Sequence, residues 1–267
     1  METTVRKPAV SNLFYPGDKD SLIYMLKSYL DKAPLYKIKP EALVSPHAGY
    51  IYSGEVAAVG YKQLLNLDKN KHYDILLIGP SHYVAFEGVS FGFYEFWETP
   101  LGNVPINKER IFEFIRKNRD LPITTNYLPH IKEHSLEVQV PFLQMVLKDF
   151  SLIPVVYGNT DYRLIEYIID YFKNNNTIVV ISTDLSHYYP DEIAKSIDNY
   201  CNLAVKNLDI NYLNKCEACG MLGLKAIIDY AKNVGWKSII LDYKTSGDTA
   251  GDKSSVVGYG SYAFYKD

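Results

Sequence analysis

The sequence predicts an α/β sandwich: a central, mostly parallel mixed sheet flanked by helices. Short, continuous, β-branched apolar runs recur at residues 42–44, 75–78, 152–156 and 178–181, the pattern of strands covered on both faces. Between these runs apolar residues return at spacings of three and four, the helical period. The two kinds of segment alternate along the chain, the order expected of βα units feeding a largely parallel sheet.

In chain order, residues 21–30 carry the first helical pattern. Residues 42–44 form a strand that Pro46 stops, and 54–65 are helical. Residues 75–78 run as a strand into Gly79 and Pro80. Residues 89–93 alternate weakly, and 97–106 carry Pro100, Gly102 and Pro105, which predicts a hairpin or meander at a sheet edge. Residues 111–115 are helical. The pattern over 135–147 contains Pro141, which marks a kink or a helix start. A strand over 152–156, a helix over 162–172 and a strand over 178–181 follow, then helical patterns over 193–208 and 219–231. Residues 238–243 and 256–265 are strand-like. The polar stretch 245–255 between them reads as a loop long enough to be functional or mobile. No linker, repeat or low-complexity segment interrupts the chain, so residues 1–267 read as a single α/β domain.

Composition narrows the class. Among 267 residues, 47% are hydrophobic and 22% charged, which is ordinary for a soluble globular protein able to bury a core without disulfides. A net charge of −3 offers no basic field for nucleic acid or anionic lipid. No apolar run approaches the ~20 residues of a membrane span. The segment Met1–Arg6 has no apolar stretch behind it and does not read as a signal peptide. Three cysteines, an odd number, argue against a disulfide framework and for a reducing, cytoplasmic setting. The 24 tyrosines accompany abundant Lys, Ile and Asn and read as a compositional habit.

The chemistry is concentrated in turns. Four of the six histidines sit in short motifs that end a strand or open a helix: Ser45-Pro46-His47-Ala48-Gly49-Tyr50, Gly79-Pro80-Ser81-His82, Glu133-His134-Ser135-Leu136-Glu137 and Asp184-Leu185-Ser186-His187. Strand ends of an open parallel sheet are where ligands gather, and two neutral imidazoles there suit one metal ion. His187 is placed to act as an acid or base, and Asp184 to orient a ring N–H or to ligate. For Asp184 alone, an N-cap or turn role for the helix near Asp191 fits as well. For His134, a capping arrangement through Ser135 and Glu137 is the competing account. His72 and His130 lack such a setting and read as surface or structural. Cys216 and Cys219 have CxxC spacing without a second CxxC, which excludes a zinc ribbon. Cys219 precedes Gly220 at the start of an apolar helix, where a thiol is expected to lose its proton more easily. Cys201 lies in a helical pattern and reads as core. No GxGxxG, P-loop, HExxH or GxSxG motif is present.

Taken in order, these four motifs and Ala218-Cys219-Gly220 resemble the Memo family over essentially the whole chain. That family has an animal member that mediates receptor-driven cell motility, and archaeal and bacterial members. It is in turn similar to the class III extradiol dioxygenases, non-haem iron ring-cleavage enzymes built on an α/β sandwich. The resemblance implies His47, His82 and Cys219 as ligands of one metal ion, with Asp184, His187 and His134 lining the same pocket. Cys216 has no counterpart in the motif. The dioxygenases complete their ligand set with a glutamate. A thiolate at Cys219 is softer and oxidisable, and implies Fe(II) or Cu ahead of Zn. Ring cleavage therefore does not follow from the resemblance. The expectation is a metal-dependent redox enzyme. A non-catalytic module binding a peptide or small molecule in the same pocket, and a zinc hydrolase, are the alternatives.

Overall fold

A computed structural model describes residues 3–267; Met1 and Glu2, the start of the segment read for a signal peptide, lie outside the described residues. The chain opens with β1 (Val5–Arg6), α1 (Lys19–Lys32), β2 (Pro40–Ser45), α2 (Tyr50–Lys62), β3 (Tyr73–Pro80) and β4 (Val89–Ser90). It continues through β5 (Phe96–Thr99), β6 (Gly102–Pro105), α3 (Lys108–Lys117), β7 (Ile123–Thr124), α4 (Leu128–Ile131) and α5 (Val140–Val146). Next come β8 (Phe150–Tyr157), α6 (Tyr162–Phe172), β9 (Thr177–Ser182), β10 (His187–Tyr189) and α7 (Asp191–Asn207). Last are α8 (Met221–Val234), β11 (Lys237–Thr245), α9 (Ser246–Ala250) and β12 (Val256–Tyr265).

The main sheet runs in the order β10-β12-β2-β9-β3-β8-β4-β7, with β11 also paired to β12. Its centre, β2-β9-β3-β8, is parallel throughout. The strands outside that centre change the balance: β12 is antiparallel to β2, β10 and β11, and β4 is antiparallel to β8. The sheet is therefore mixed, with parallel pairing dominant only at its core. The C-terminal pair β11–β12 is a hairpin, and a short connection can only return a strand antiparallel.

The central strands read as unbroken apolar runs because every position of β3, β8 and β9 is buried. On this sheet α2 packs against β2 and β12, with α1 and α5 beside it, while α8, backed by α6, packs against β3 and β9. The helices begin where local chemistry dictates. Asp18, Asn107 and Asp161 each accept a hydrogen bond from a backbone N–H in the first turn of α1, α3 and α6.

Four expectations need correction. The hairpin β5–β6 does form, but with β1 in a separate three-stranded sheet, touching the main sheet through a bridge between Ile106 and Leu152. The polar stretch 245–255 is not a plain loop. Thr245 and Asp248 form a reciprocal capping box that starts α9. The helix expected from residue 135 begins only at Val140, after a 3-10 turn over Glu137–Gln139, with Pro141 accommodated in its first turn. The cysteines are not all free. Cys201 in α7 is disulfide-bonded to Cys216, at the end of the 3-10 turn Ile210–Lys215, leaving Cys219 as the free thiol.

Candidate metal centre

The strand topology assembles the site. His47, His82 and Asp184 each lie two residues beyond the carboxyl end of a parallel strand: β2, β3 and β9 respectively. In the sheet β9 runs between β2 and β3, and Ser45 is in register with Ser182. The turns carrying His47 and His82 therefore flank the one carrying Asp184, at the edge where open α/β sheets bind ligands. Cys219 enters from the start of α8. Its N–H donates to the Asp184 carbonyl at 3.3 Å, and the Gly220 N–H donates to Thr183 Oγ1 at 2.8 Å. A Cβ on Gly220 would stand 2.6 Å from the Ser182 carbonyl oxygen, so only glycine lets α8 start this close to β9. Gly220→Ala is expected to cost about 1–3 kcal/mol in urea unfolding, since backbone on both sides must give way.

His47, His82 and Cys219 each present one donor atom, all within 4.8 Å of one another, a grouping that could hold a metal ion. The rings of His47, His82 and His134 converge, with centroids 5.0 Å (His47–His82), 5.2 Å (His47–His134) and 4.6 Å (His82–His134) apart. Cys219 Sγ is 3.2 Å from His47 Nε2 and accepts the Asp184 N–H at 3.3 Å.

Hydrogen bonds fix which ring nitrogens are free. Ser182 Oγ donates to the Ser135 carbonyl at 2.6 Å and accepts from Gln139 Nε2 at 3.0 Å. Its contact with His47 Nδ1 at 2.8 Å must then be one in which His47 donates, because the hydroxyl proton is already committed. The Nε2 lone pair of His47 faces Cys219. Burial, and then the neighbouring His82, hold His47 down at about 3, so this imidazole is neutral. His82 Nδ1 lies 2.7 Å from Glu133 Oε1, which leaves Nε2 for a ligand. Burial pushes the Glu133 carboxyl up, but hydrogen bonds from the His82 ring, the His82 N–H and the Ser135 N–H outweigh it and bring it to about 2. The Cys219 thiol behaves otherwise than its place before a helix suggests. Burial, then the Asp184 carboxylate, push it up to about 12, and the helix N-terminus does not compensate.

Each remaining expected residue has a definite place. Asp184 caps no helix, since Pro190 precedes α7; its Oδ1 accepts the His47 N–H at 2.8 Å, and burial pushes its carboxyl up. His134 lies before the 3-10 turn, with Nδ1 3.0 Å from the Tyr83 hydroxyl, and burial, then His47, lower it to about 4. His187 starts β10 with Nδ1 2.8 Å from the Leu185 carbonyl and stands outside the donor cluster. Glu137 is no cap. It is buried, paired with Arg6 at 2.8 Å, and accepts from Ala9 N, Val10 N and Tyr15 Oη. His130 is fully buried and structural, and His72 is half-exposed against Asp149. The sequence reading missed Glu133 and Ser182 as partners of the two histidines. The signal for Glu133 was present, an acid adjoining His134, but its true partner is His82, 51 positions away.

Comparison with known proteins covers nearly the whole chain. A family model described as Memo-like protein matches residues 6–263. A protein of Aquifex aeolicus described as a MEMO1 family protein is 36% identical over 270 residues, covering 96% of this chain and 97% of its own. Proteins with the same description from Thermotoga neapolitana (37% identical; 96% and 98% covered) and Archaeoglobus fulgidus (33% identical; 97% and 99% covered) are similarly related. A match of this extent makes the chain a member of the Memo family.

Proposed function

We propose that the chain works as one α/β domain holding a single metal ion, and that it is a redox enzyme on a scaffold of the non-haem dioxygenase type. His47, His82 and Cys219 are the ligands, and iron or copper is the metal ahead of zinc. The observation that carries this reading is the meeting of two imidazoles and a thiol within 4.8 Å, both imidazoles tied by Nδ1 to a polar partner. That donor set suits a borderline or soft transition ion, whereas a hard cation would need oxygen ligands that the cluster lacks. When bound, the metal would supply redox or Lewis-acid chemistry. Ser182 and Glu133 orient the ligand rings, as outer partners do at metal centres. Asp184 holds the His47 turn through its N–H. His187, on the rim, and His134 are the groups placed to give or take a proton.

Elemental mass spectrometry on anaerobically purified protein tests the reading. About one equivalent of iron or copper, lost in His47→Ala, is the expected result. Zinc alone would move the reading to hydrolysis; no metal, and no uptake on titration, would overturn it. Glu133→Gln is expected to weaken metal binding by about 10–100-fold, the usual effect of removing an outer hydrogen-bond partner, with the fold retained.

One observation favours the second reading, a ligand-binding module. Tyr83 and Tyr188 stand largely exposed beside His134 and His187, and Tyr188 holds a left-handed backbone (φ 68°) that a bulky residue rarely adopts. A rim of this kind would grip a small molecule or peptide whether or not turnover follows.

A further inference from the structure

The disulfide takes no part in the chemistry proposed above, yet it ends three residues from the thiol that does. Cys216 closes the 3-10 turn Ile210–Lys215, and only Glu217 and Ala218 separate it from Cys219. The far side of Cys219 is held by backbone: Gly220 on Thr183 and Cys219 on Asp184. The near side has few hydrogen bonds, although Cys216 is buried in the core and Ala218 packs against it. Cys216 N–H reaches the Leu213 carbonyl at 3.3 Å, and Glu217 accepts the Tyr189 hydroxyl at an exposed site. The firm tether on that side is the covalent bond to Cys201, which is fully buried in α7.

We propose that the Cys201–Cys216 disulfide positions Cys219 as the sulfur donor of the centre, so that the redox state of this pair sets metal affinity. The inference rests on the ligand set proposed above. With the bond formed, the 216–220 segment is pinned at both ends and Cys219 is its single thiol. A dithiol reductant breaks the S–S bond by attack at Cys216, the less buried partner, and the Cys201 thiolate leaves. The reductant's second thiol then displaces the Cys216 sulfur. Two electrons and two protons pass to the protein as two thiols, and the reductant ends as its own disulfide. The reduced segment has lost its tether and carries a second soft donor, Cys216, close enough in sequence to compete with Cys219 for the ion.

The test compares the oxidised chain, the chain reduced with dithiothreitol and then freed of it under anaerobic conditions, and Cys201→Ala/Cys216→Ala. Co(II) is the probe, read by its sulfur-to-cobalt charge-transfer band. A second, metal-free readout is the alkylation rate of Cys219, resolved by peptide mass spectrometry, together with deuterium uptake across residues 216–220. Loss of an outer support of this kind is expected to raise the Co(II) dissociation constant by about 10–100-fold in both altered forms. Cys219 alkylation and local exchange should rise with it. Wild-type Co(II) affinity and unchanged Cys219 alkylation in the reduced chain would overturn the proposal. If Co(II) fails to bind the oxidised chain, yet alkylation accelerates on reduction, the ligand reading fails and the positioning role stands. The reduced wild-type chain keeps the test valid should the double variant not fold.

Discussion

Cys219→Ser is expected to abolish metal binding while leaving the fold in place. The loss in affinity should exceed the ~100-fold that follows from removing an outer hydrogen-bond partner, because a ligand itself is gone. A serine hydroxyl is a poor donor to the borderline or soft ions that two imidazoles select. The fold should survive because Cys219 makes its structural contact through its backbone N–H, and the Sγ contacts at 3.2–3.8 Å are weak ones that a hydroxyl can occupy. Circular dichroism and urea unfolding close to wild type, with no metal retained, are the expected pair of results. Unchanged Zn(II) or Co(II) affinity in a folded Cys219→Ser protein would sink the ligand set.

The protonation states give this prediction a pH dependence with a definite sign. His47, held near 3, binds no proton at neutral pH and releases none when a metal arrives. Cys219, pushed up to about 12, is protonated at neutral pH and must release one. Its contribution therefore makes metal affinity rise with pH, about tenfold per unit, up to the thiol's own pKa. Calorimetry of Zn(II) binding in two buffers of different ionisation enthalpy counts the protons. The count should fall by about one in Cys219→Ser at whatever residual binding remains.

The sequence showed its elements wherever burial is complete. The run at 75–78 and the period over 162–172 mark β3 and α6 because every inward position there is apolar. The convergence of His47 and His82 was legible for a similar reason, since strand ends share one edge; Cys219 joined them only through the resemblance to the family. What escaped the reading depends on distance between partners. Nothing in the spacing of Cys201 and Cys216 says that a helix and a 3-10 turn will face each other, and an odd cysteine count hid the pair. Glu137 fits a capping pattern as written, but Arg6 lies 131 positions away and outcompetes the cap with a charge. Thr245 and Asp248 carry a capping signature within a polar stretch too short to show helical periodicity. Ser182 is an ordinary strand residue until the direction of its hydroxyl proton decides the tautomer of His47.

The second large effect comes from that missed ion pair. Arg6→Met is expected to destabilise the fold by about 3–5 kcal/mol, a fall of roughly 6–20 °C in Tm for a chain near this size. Arg6 and Glu137 have side-chain exposures of 2% and 1%, so neither charge can turn to water when its partner goes. The guanidinium also donates from Nε to the His130 carbonyl at 2.9 Å and from Nη2 to the Glu133 carbonyl at 2.8 Å, while lying over the Trp97 ring. Methionine fills much of the volume but leaves two buried carbonyls without their donor and the Glu137 carboxylate without its counter-charge. Arg6→Met/Glu137→Gln should recover part of the loss. The neutral amide keeps an oxygen where Oε1 accepts from Val10 and Tyr15 and removes the orphaned charge, but its NH2 then faces the Ala9 N–H that Oε2 accepts, so recovery is only partial. Lys7→Ala is the control: its pair with Glu98 is exposed, at 72% and 36%, and should change stability by about 0.5 kcal/mol or less. Arg6 also reaches the centre through the chain. Its Nη2 bond holds the Glu133 carbonyl, and the Glu133 carboxylate orients His82, so freeing that turn should weaken metal binding along with the fold. Urea unfolding and Co(II) titration on the same Arg6→Met preparation check both effects. Lost stability with full metal affinity would show that Glu133 is held by its bonds to His82 and Ser135 alone.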